Sequence, residues 1–251
     1  EIGVRLVGSE MCIRDSLTGG SRVLFASAMA VTESTEKVIK MLRERAAKIW
    51  DIDADAVTWE NGLARPAGDN AGKFAPLTLE ELAARATETG WPIGDGEQLN
   101  TTGAEGGFAT HICDVEVDIN LGIVRVLRYT SFQDVGCAVH PSYVEGQMQG
   151  GVAQGVGWAL NEEYIYNDKG VLDNPSFLDY RMPVSLDLPM IDTVLVEVGN
   201  PGHHFGLRGV GEACLVPPMA AIANAIHDAV GIRMTELPMS PVRVSKALGN
   251  Y

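Results

Sequence analysis

An α+β fold is predicted by three observations. Apolar residues recur at helical spacing over residues 21–49, two strand patterns are closed by Asn61-Gly62 and by Asn120-Leu121-Gly122, and a second helical stretch follows at 143–160. In the first stretch Val31, Val38, Ile39, Met41, Leu42, Ala46 and Ile49 share one face. Glu33, Glu36, Lys37, Lys40, Arg43 and Glu44 fill the other, so a long amphipathic helix is expected. Ala56-Val57-Thr58-Trp59-Glu60 then reads as a strand, and Asn61-Gly62 supplies the positive φ angles of a hairpin turn. Thr78 with Glu81 three residues later matches a capping box and opens a helix over 77–90. Residues from Pro92 onward read as loop, leading into alternating strands at 111–118 and 123–130. Further strands are expected at 164–166 and 192–198, a helix over 213–230, and a short helical tail after Pro241.

The helix at 143–160 carries Gly146, Gly150, Gly151, Gly155 and Gly157, each about 1 kcal/mol less favourable than alanine in a helix interior. Either another backbone or a ligand must approach that helix closely. Gln147, Gly151 and Gln154 share a face, so two amides bracket a bare surface suited to the mixed donor and acceptor edge of a heterocycle. The alternative is helix packing through glycines with the glutamines in water. Thr18-Gly19-Gly20-Ser21 precedes the first helix, where free N–H groups could cradle an anion or where Thr18 or Ser21 could simply cap. Phe205-Gly206-Leu207-Arg208-Gly209-Val210-Gly211-Glu212 delivers one carboxylate on a glycine loop just upstream of Pro217-Pro218. Glu212 is either a reactive acid or a partner of the helix dipole.

With 251 residues, 46% of them hydrophobic, the chain can bury a sizeable core. A net charge of −14 argues against a nucleic-acid partner, because phosphate binding needs clustered Lys and Arg. No stretch of about 20 uninterrupted apolar residues is present, and the best candidate, 216–232, is broken by prolines and polar residues. Cys12, Cys113, Cys137 and Cys214 are too scattered for a zinc or iron–sulfur motif, and Cys137 and Cys214 read as small buried residues. A reducing, cytoplasmic location fits them. His203-His204 read as structural and no metal-ligand set is found. Residues 1–16 show neither a signal-peptide layout nor a helical period and read as a non-native extension of a fragment.

Taken together, Gln133-Asp134-Val135-Gly136 through Gly157, the block Asn174-Pro175-Ser176-Phe177-Leu178-Asp179-Tyr180-Arg181-Met182-Pro183, and 206–224 resemble the C-terminal part of the molybdopterin-binding subunit of the xanthine dehydrogenase and aldehyde oxidase family. The resemblance implies a two-lobed α+β molybdenum-cofactor-binding domain, with 17–110 completing a first lobe and 111–251 forming the C-terminal lobe. It implies oxidative hydroxylation of an aldehyde or N-heteroaromatic compound with water as oxygen source and Glu212 as general base. It further implies cofactor contacts from Gln147, Gln154, Gly19, Gly20, Ser21 and Gly211. The cofactor would be molybdenum-molybdopterin in its cytosine dinucleotide form. 2Fe–2S clusters and FAD would sit on partner subunits of an oligomer. The sequence departs from the family in Ala213-Cys214-Leu215 after Glu212, where many members place proline early. The family's earlier cofactor and substrate segments have no counterpart in this chain. A non-catalytic assembly lobe and a carbon monoxide dehydrogenase-like subunit stand as alternatives.

Overall fold

The computed structural model describes residues 19–90, 93–94 and 106–250. The chain forms two compact units, one of 26–102 and one joining residues through Phe25 with 103–251. The sequence reading divided the chain at 110/111 and kept 17–25 with the first lobe. Residues 19–25 group with the later unit, where Ser21 and Phe25 bond to its 203–211 loop. Thr18, Cys12 and the 1–16 segment lie outside the described residues, as does most of the loop after Pro92.

The smaller unit is built on α1 (Arg22–Trp50), whose first residues belong to the larger unit. Leu42, Ala46, Ala47 and Trp50, at helical spacing, meet Val57 and Ala64 of a hairpin, β1 (Val57–Glu60) and β2 (Leu63–Pro66), together with Leu82. Asn61 and Gly62 take φ of 52° and 76°, the left-handed pair that a two-residue hairpin turn demands. β3 (Leu77–Thr78) completes this sheet and runs into α2 (Leu79–Ala84), closed by the predicted reciprocal Thr78 and Glu81 capping box, then α3 (Ala86–Thr89).

In the larger unit β4 (Ala109–Asp118) and β5 (Ile123–Asp134) pair antiparallel, and β6 (Ile191–Val196) adds parallel to β5. Parallel pairing needs a long crossover. It is supplied by α4 (Pro141–Leu160) and the segment after it. Residues 164–166, expected as a strand, form only an isolated bridge between Tyr166 and Leu172. Asn174 takes up Ile165 N–H and Glu163 C=O with its side chain, which leaves those groups unavailable to a sheet partner. The helix expected over 213–230 divides into a 3-10 turn at Ala213–Leu215 and α5 (Pro217–Val230), since Pro217 and Pro218 lack the N–H groups to continue a helix through them. α6 (Pro241–Ala247) ends the described chain.

The core of this unit brings Tyr129 and Val126 of β5, Met148, Val152 and Val156 of α4, and Ile222 and Ile226 of α5 together. The window Ala213–Val230 has a mean hydropathy of 1.3 over 18 residues, enough by length and composition for a membrane span, which the sequence reading did not expect. Its Pro218, Ile222 and Ile226 are nevertheless buried, with both isoleucines in the unit's apolar core.

Candidate functional site

Three glycine-bearing places, distant in sequence, line one cavity of about 740 Å³. Gly20 and Ser21 come from the start of α1, Gln147, Gly150, Gly151 and Gln154 from one face of α4, and Val210, Gly211 and Glu212 from the loop before α5. That volume lies within the roughly 300–1,000 Å³ of small-molecule and cofactor pockets. Gly19 is exposed and does not line it, so of the expected contacts only this one falls outside the wall.

The loop carrying Glu212 is clamped from two sides. Ser21, at φ 58°, accepts hydrogen bonds at its Oγ from Val210 N–H at 3.1 Å and Gly211 N–H at 3.2 Å. Gln147 Nε2 donates to Gly211 C=O at 2.9 Å. Both polar groups of Gly211 are therefore committed, and Glu212 follows directly with an exposed side chain that makes no capping bond to its own turn. Of the three loop glycines only Gly206 adopts a positive φ, at 66°. At Gly209 the constraint is space: a Cβ there would lie 3.3 Å from Gly20 C=O. Ser21→Ala should therefore speed amide exchange at Val210 and Gly211 by about fivefold, as expected when a bond worth about 1 kcal/mol is lost at a locally opening loop. Unchanged exchange there would mean that the hydroxyl is not the clamp.

The α4 glycines divide into two groups. A Cβ on Gly151 would approach Cys214 Cβ to 3.1 Å, and one on Gly155 would meet Pro218 Cγ at 2.6 Å and Leu215 C=O at 2.9 Å, so these two seat the 212–218 segment on the helix. A Cβ on Gly146 or Gly150 would meet nothing within 4 Å, and Gly150 faces the cavity. Close approach of another backbone, one of the two explanations offered by the sequence, therefore holds at Gly151 and Gly155, while Gly150 leaves open space on the cavity side.

Arg208 was not singled out by the sequence, although it lines the cavity. Its Nε lies 3.1 Å from Asp134 Oδ2, with both side chains 8% exposed, and it donates to the carbonyls of Val198 and Gly106. Asp134 also accepts from Gly136 N–H at 3.1 Å. Removing one member of a buried ion pair strands the other, so Asp134→Ala should lower unfolding free energy by about 3–5 kcal/mol. A urea titration that finds a loss near zero would contradict the buried pairing.

Cys137 departs from its expected burial. It is exposed at the cavity wall, held there by its N–H to Gly206 C=O, while Cys214 is buried as expected. His203 is structural, as expected: it is buried, its Nε2 lies 3.1 Å from Phe25 C=O, and its Nδ1 accepts from Phe205 N–H. Among the described residues no cluster of His, Cys, Asp and Glu is arranged to hold a metal ion directly.

Behind the Glu212 turn lies a polar chain that the sequence reading missed, because its members come from three elements. His111 Nδ1 is 2.9 Å from Tyr129 OH, Ser131 Oγ is 2.9 Å from His111 Nε2 and 3.6 Å from Cys214 Sγ, and Cys214 donates to Gln133 Oε1 at 3.5 Å. Burial pushes the His111 imidazole down to about 4 and the Cys214 thiol up. An unfolded chain protonates His111 near its ordinary 6.5, so it takes up more protons than the fold as pH falls from 6.5 to about 4. Stability should drop through that window and be flat above it with respect to this residue. Denaturant midpoints of His111→Gln should show a shallower acid slope than the native chain, and an equal slope would assign the acid sensitivity elsewhere.

A family model described as molybdopterin cofactor-binding domain matches residues 2–189. The chain belongs to that family. The matched range takes in the segment read as an extension and ends before Glu212. The putative xanthine dehydrogenase molybdenum-binding subunit of Escherichia coli is 37% identical over 172 residues, covering 67% of this chain and 23% of the relative. The nicotine 6-hydroxylase large subunit of Paenarthrobacter nicotinovorans is 30% identical over 242 residues, covering 92% of this chain and 29% of the relative. The crystal structure of quinoline 2-oxidoreductase from Pseudomonas putida 86 superposes with a TM-score of 0.66 at 27% identity, over 84% of this chain and 28% of that one. The molybdopterin-binding domain described here therefore spans about a quarter of the length of these relatives, and its mixed α+β fold is that of their cofactor-binding region.

Proposed function

We propose that this chain is part of the catalytic subunit of a molybdenum hydroxylase that oxidises an aldehyde or an N-heteroaromatic compound, taking the oxygen from water, with Glu212 as general base. The observation that carries this reading is the single cavity in which a bare helix face, two amides and one exposed, backbone-clamped carboxylate meet. The residues present suit a pterin. Gly150 leaves open space where a side chain would stand, Gln154 offers a donor and an acceptor at the wall, and Gly20 and Ser21 line the same cavity. Gln147 contributes through the loop, since its amide nitrogen is already given to Gly211. When bound, the molybdenum-pterin group supplies the two-electron sink for the oxidation. The protein's part is to line the cavity with the apolar side chains of Leu24, Val139 and Tyr143 and to accept a proton at the Glu212 carboxylate.

The cytosine dinucleotide form of the cofactor, a cytoplasmic location, and 2Fe–2S and FAD partners in an oligomer belong to the same proposal. Phe177, Leu178, Leu186 and Met190 are each more than 80% exposed, and these apolar side chains of the 177–190 segment support a covering surface supplied by further protein. A carbon monoxide dehydrogenase large chain of Hydrogenophaga pseudoflava, 26% identical over 243 residues, keeps carbon monoxide as a second substrate reading. Full-length protein purified from a molybdenum-replete host tests the proposal. It should contain molybdenum and pterin and should incorporate oxygen from labelled water into an aldehyde or heterocycle. Protein without metal or pterin would instead be the assembly lobe.

A further inference from the structure

The buried chain behind the Glu212 turn consists of groups that an apolar core would not need. Tyr129, Ser131 and Cys214 are fully buried and Gln133 is 1% exposed, and burying hydroxyl, thiol and amide groups is unfavourable unless every one is bonded. None of the five side chains lines the cavity.

Counting protons fixes the direction of every bond. Gln133 Oε1 can only accept, so the Cys214 thiol proton points to it. Ser131 must then give its one proton to Cys214 Sγ and accept at Oγ from His111 Nε2–H. His111 Nδ1 is left bare and accepts from the Tyr129 hydroxyl. Gln133 Nε2 closes the chain by donating to Asp134 C=O at 3.1 Å. Each donor is used and the chain carries no charge.

Only Cys214 in this series lies off the sheet. It sits in the 3-10 turn whose Leu215 N–H bonds to Glu212 C=O at 3.1 Å, and it is pressed against Gly151 of α4. We propose that the one-directional chain Tyr129, His111, Ser131, Cys214, Gln133 is a positioning device that locks the Glu212 turn to the β4–β5 pair. Ser21 and Gln147 hold the same turn from its cavity side. The catalytic consequence rests on the reading of Glu212 as the base, whereas the locking itself does not.

Amide hydrogen exchange on the chain, read at Leu215 against Ile222 and Ile226 of α5, tests the lock without any cofactor. Ser131→Ala and Cys214→Ala should speed exchange at Leu215 by about tenfold or more relative to α5, while Cys214→Ser, which keeps a donor and an acceptor, regains most of the protection. Imidazole NMR of the native chain should find the His111 proton on Nε2. In full-length, cofactor-loaded protein the alanine variants should lower kcat with KM little changed. Unchanged relative exchange at Leu215, equal loss in Cys214→Ser and Cys214→Ala, or a His111 proton on Nδ1 would each overturn the proposal. Should Glu212→Gln leave turnover intact, the catalytic reading fails while the exchange result still decides the lock.

Discussion

Glu212→Gln should lower turnover of the full-length, cofactor-loaded protein by about 10²–10⁴-fold, the range for losing a positioned general base. The amide keeps the shape and the hydrogen-bonding reach of the carboxylate but cannot take a proton at neutral pH. Its neighbours need no rearrangement, because the turn is held through Gly211 and Cys214 and the Glu212 side chain does not cap it. Molybdenum content and melting temperature should therefore match the native protein. A variant that retains turnover would remove Glu212 from the chemistry, and one that loses metal as well would make it a binding residue.

The second large effect separates the two roles of the α4 glycines. Gly155→Ala drives a methyl group into Pro218 and the Leu215 carbonyl, both parts of backbone or ring that cannot swing away. Overpacking of this kind is unfavourable by about 1–3 kcal/mol, despite the better helix propensity of alanine, and each kcal/mol lowers Tm by roughly 2–4 °C in a chain of this size. Gly150→Ala meets open space, so it should raise stability by about 0.5–1 kcal/mol through helix propensity and the unfolded state. Gly150→Leu would still fold, yet it would fill the cavity and cut molybdenum and pterin content of the full-length protein. Thermal melts that rank Gly150→Ala below Gly155→Ala would contradict the assignment of faces.

What was legible in the sequence is what depends on short range. The Thr78 and Glu81 capping box, the Asn61-Gly62 turn and the period of α1 are local patterns, and each appears where its residues place it. The glycine excess of α4 announced a close approach, but spacing could not tell which glycines met protein and which met open space. That distinction depends on where Cys214 and Pro218 arrive from sixty residues away. The double clamp on Gly211, the Arg208 and Asp134 pair and the His111 chain were illegible for the same reason, since each joins residues from different elements. Gln147 illustrates the limit well: its face was foreseen, but its partner is a carbonyl of the 206–212 loop. The early loss of strand at 164–166 and the break at Pro217 show the opposite case, in which a local pattern yields to the Asn174 side chain or to a missing N–H.

Anomalous scattering at the molybdenum absorption edge, from crystals of the full-length protein, tests the central claim most directly. A peak should fall inside the cavity bounded by Ser21, Gln147, Gly150 and Glu212, with pterin density along the open face of α4. A peak outside that cavity, or protein that carries turnover with no molybdenum in it, would contradict the account.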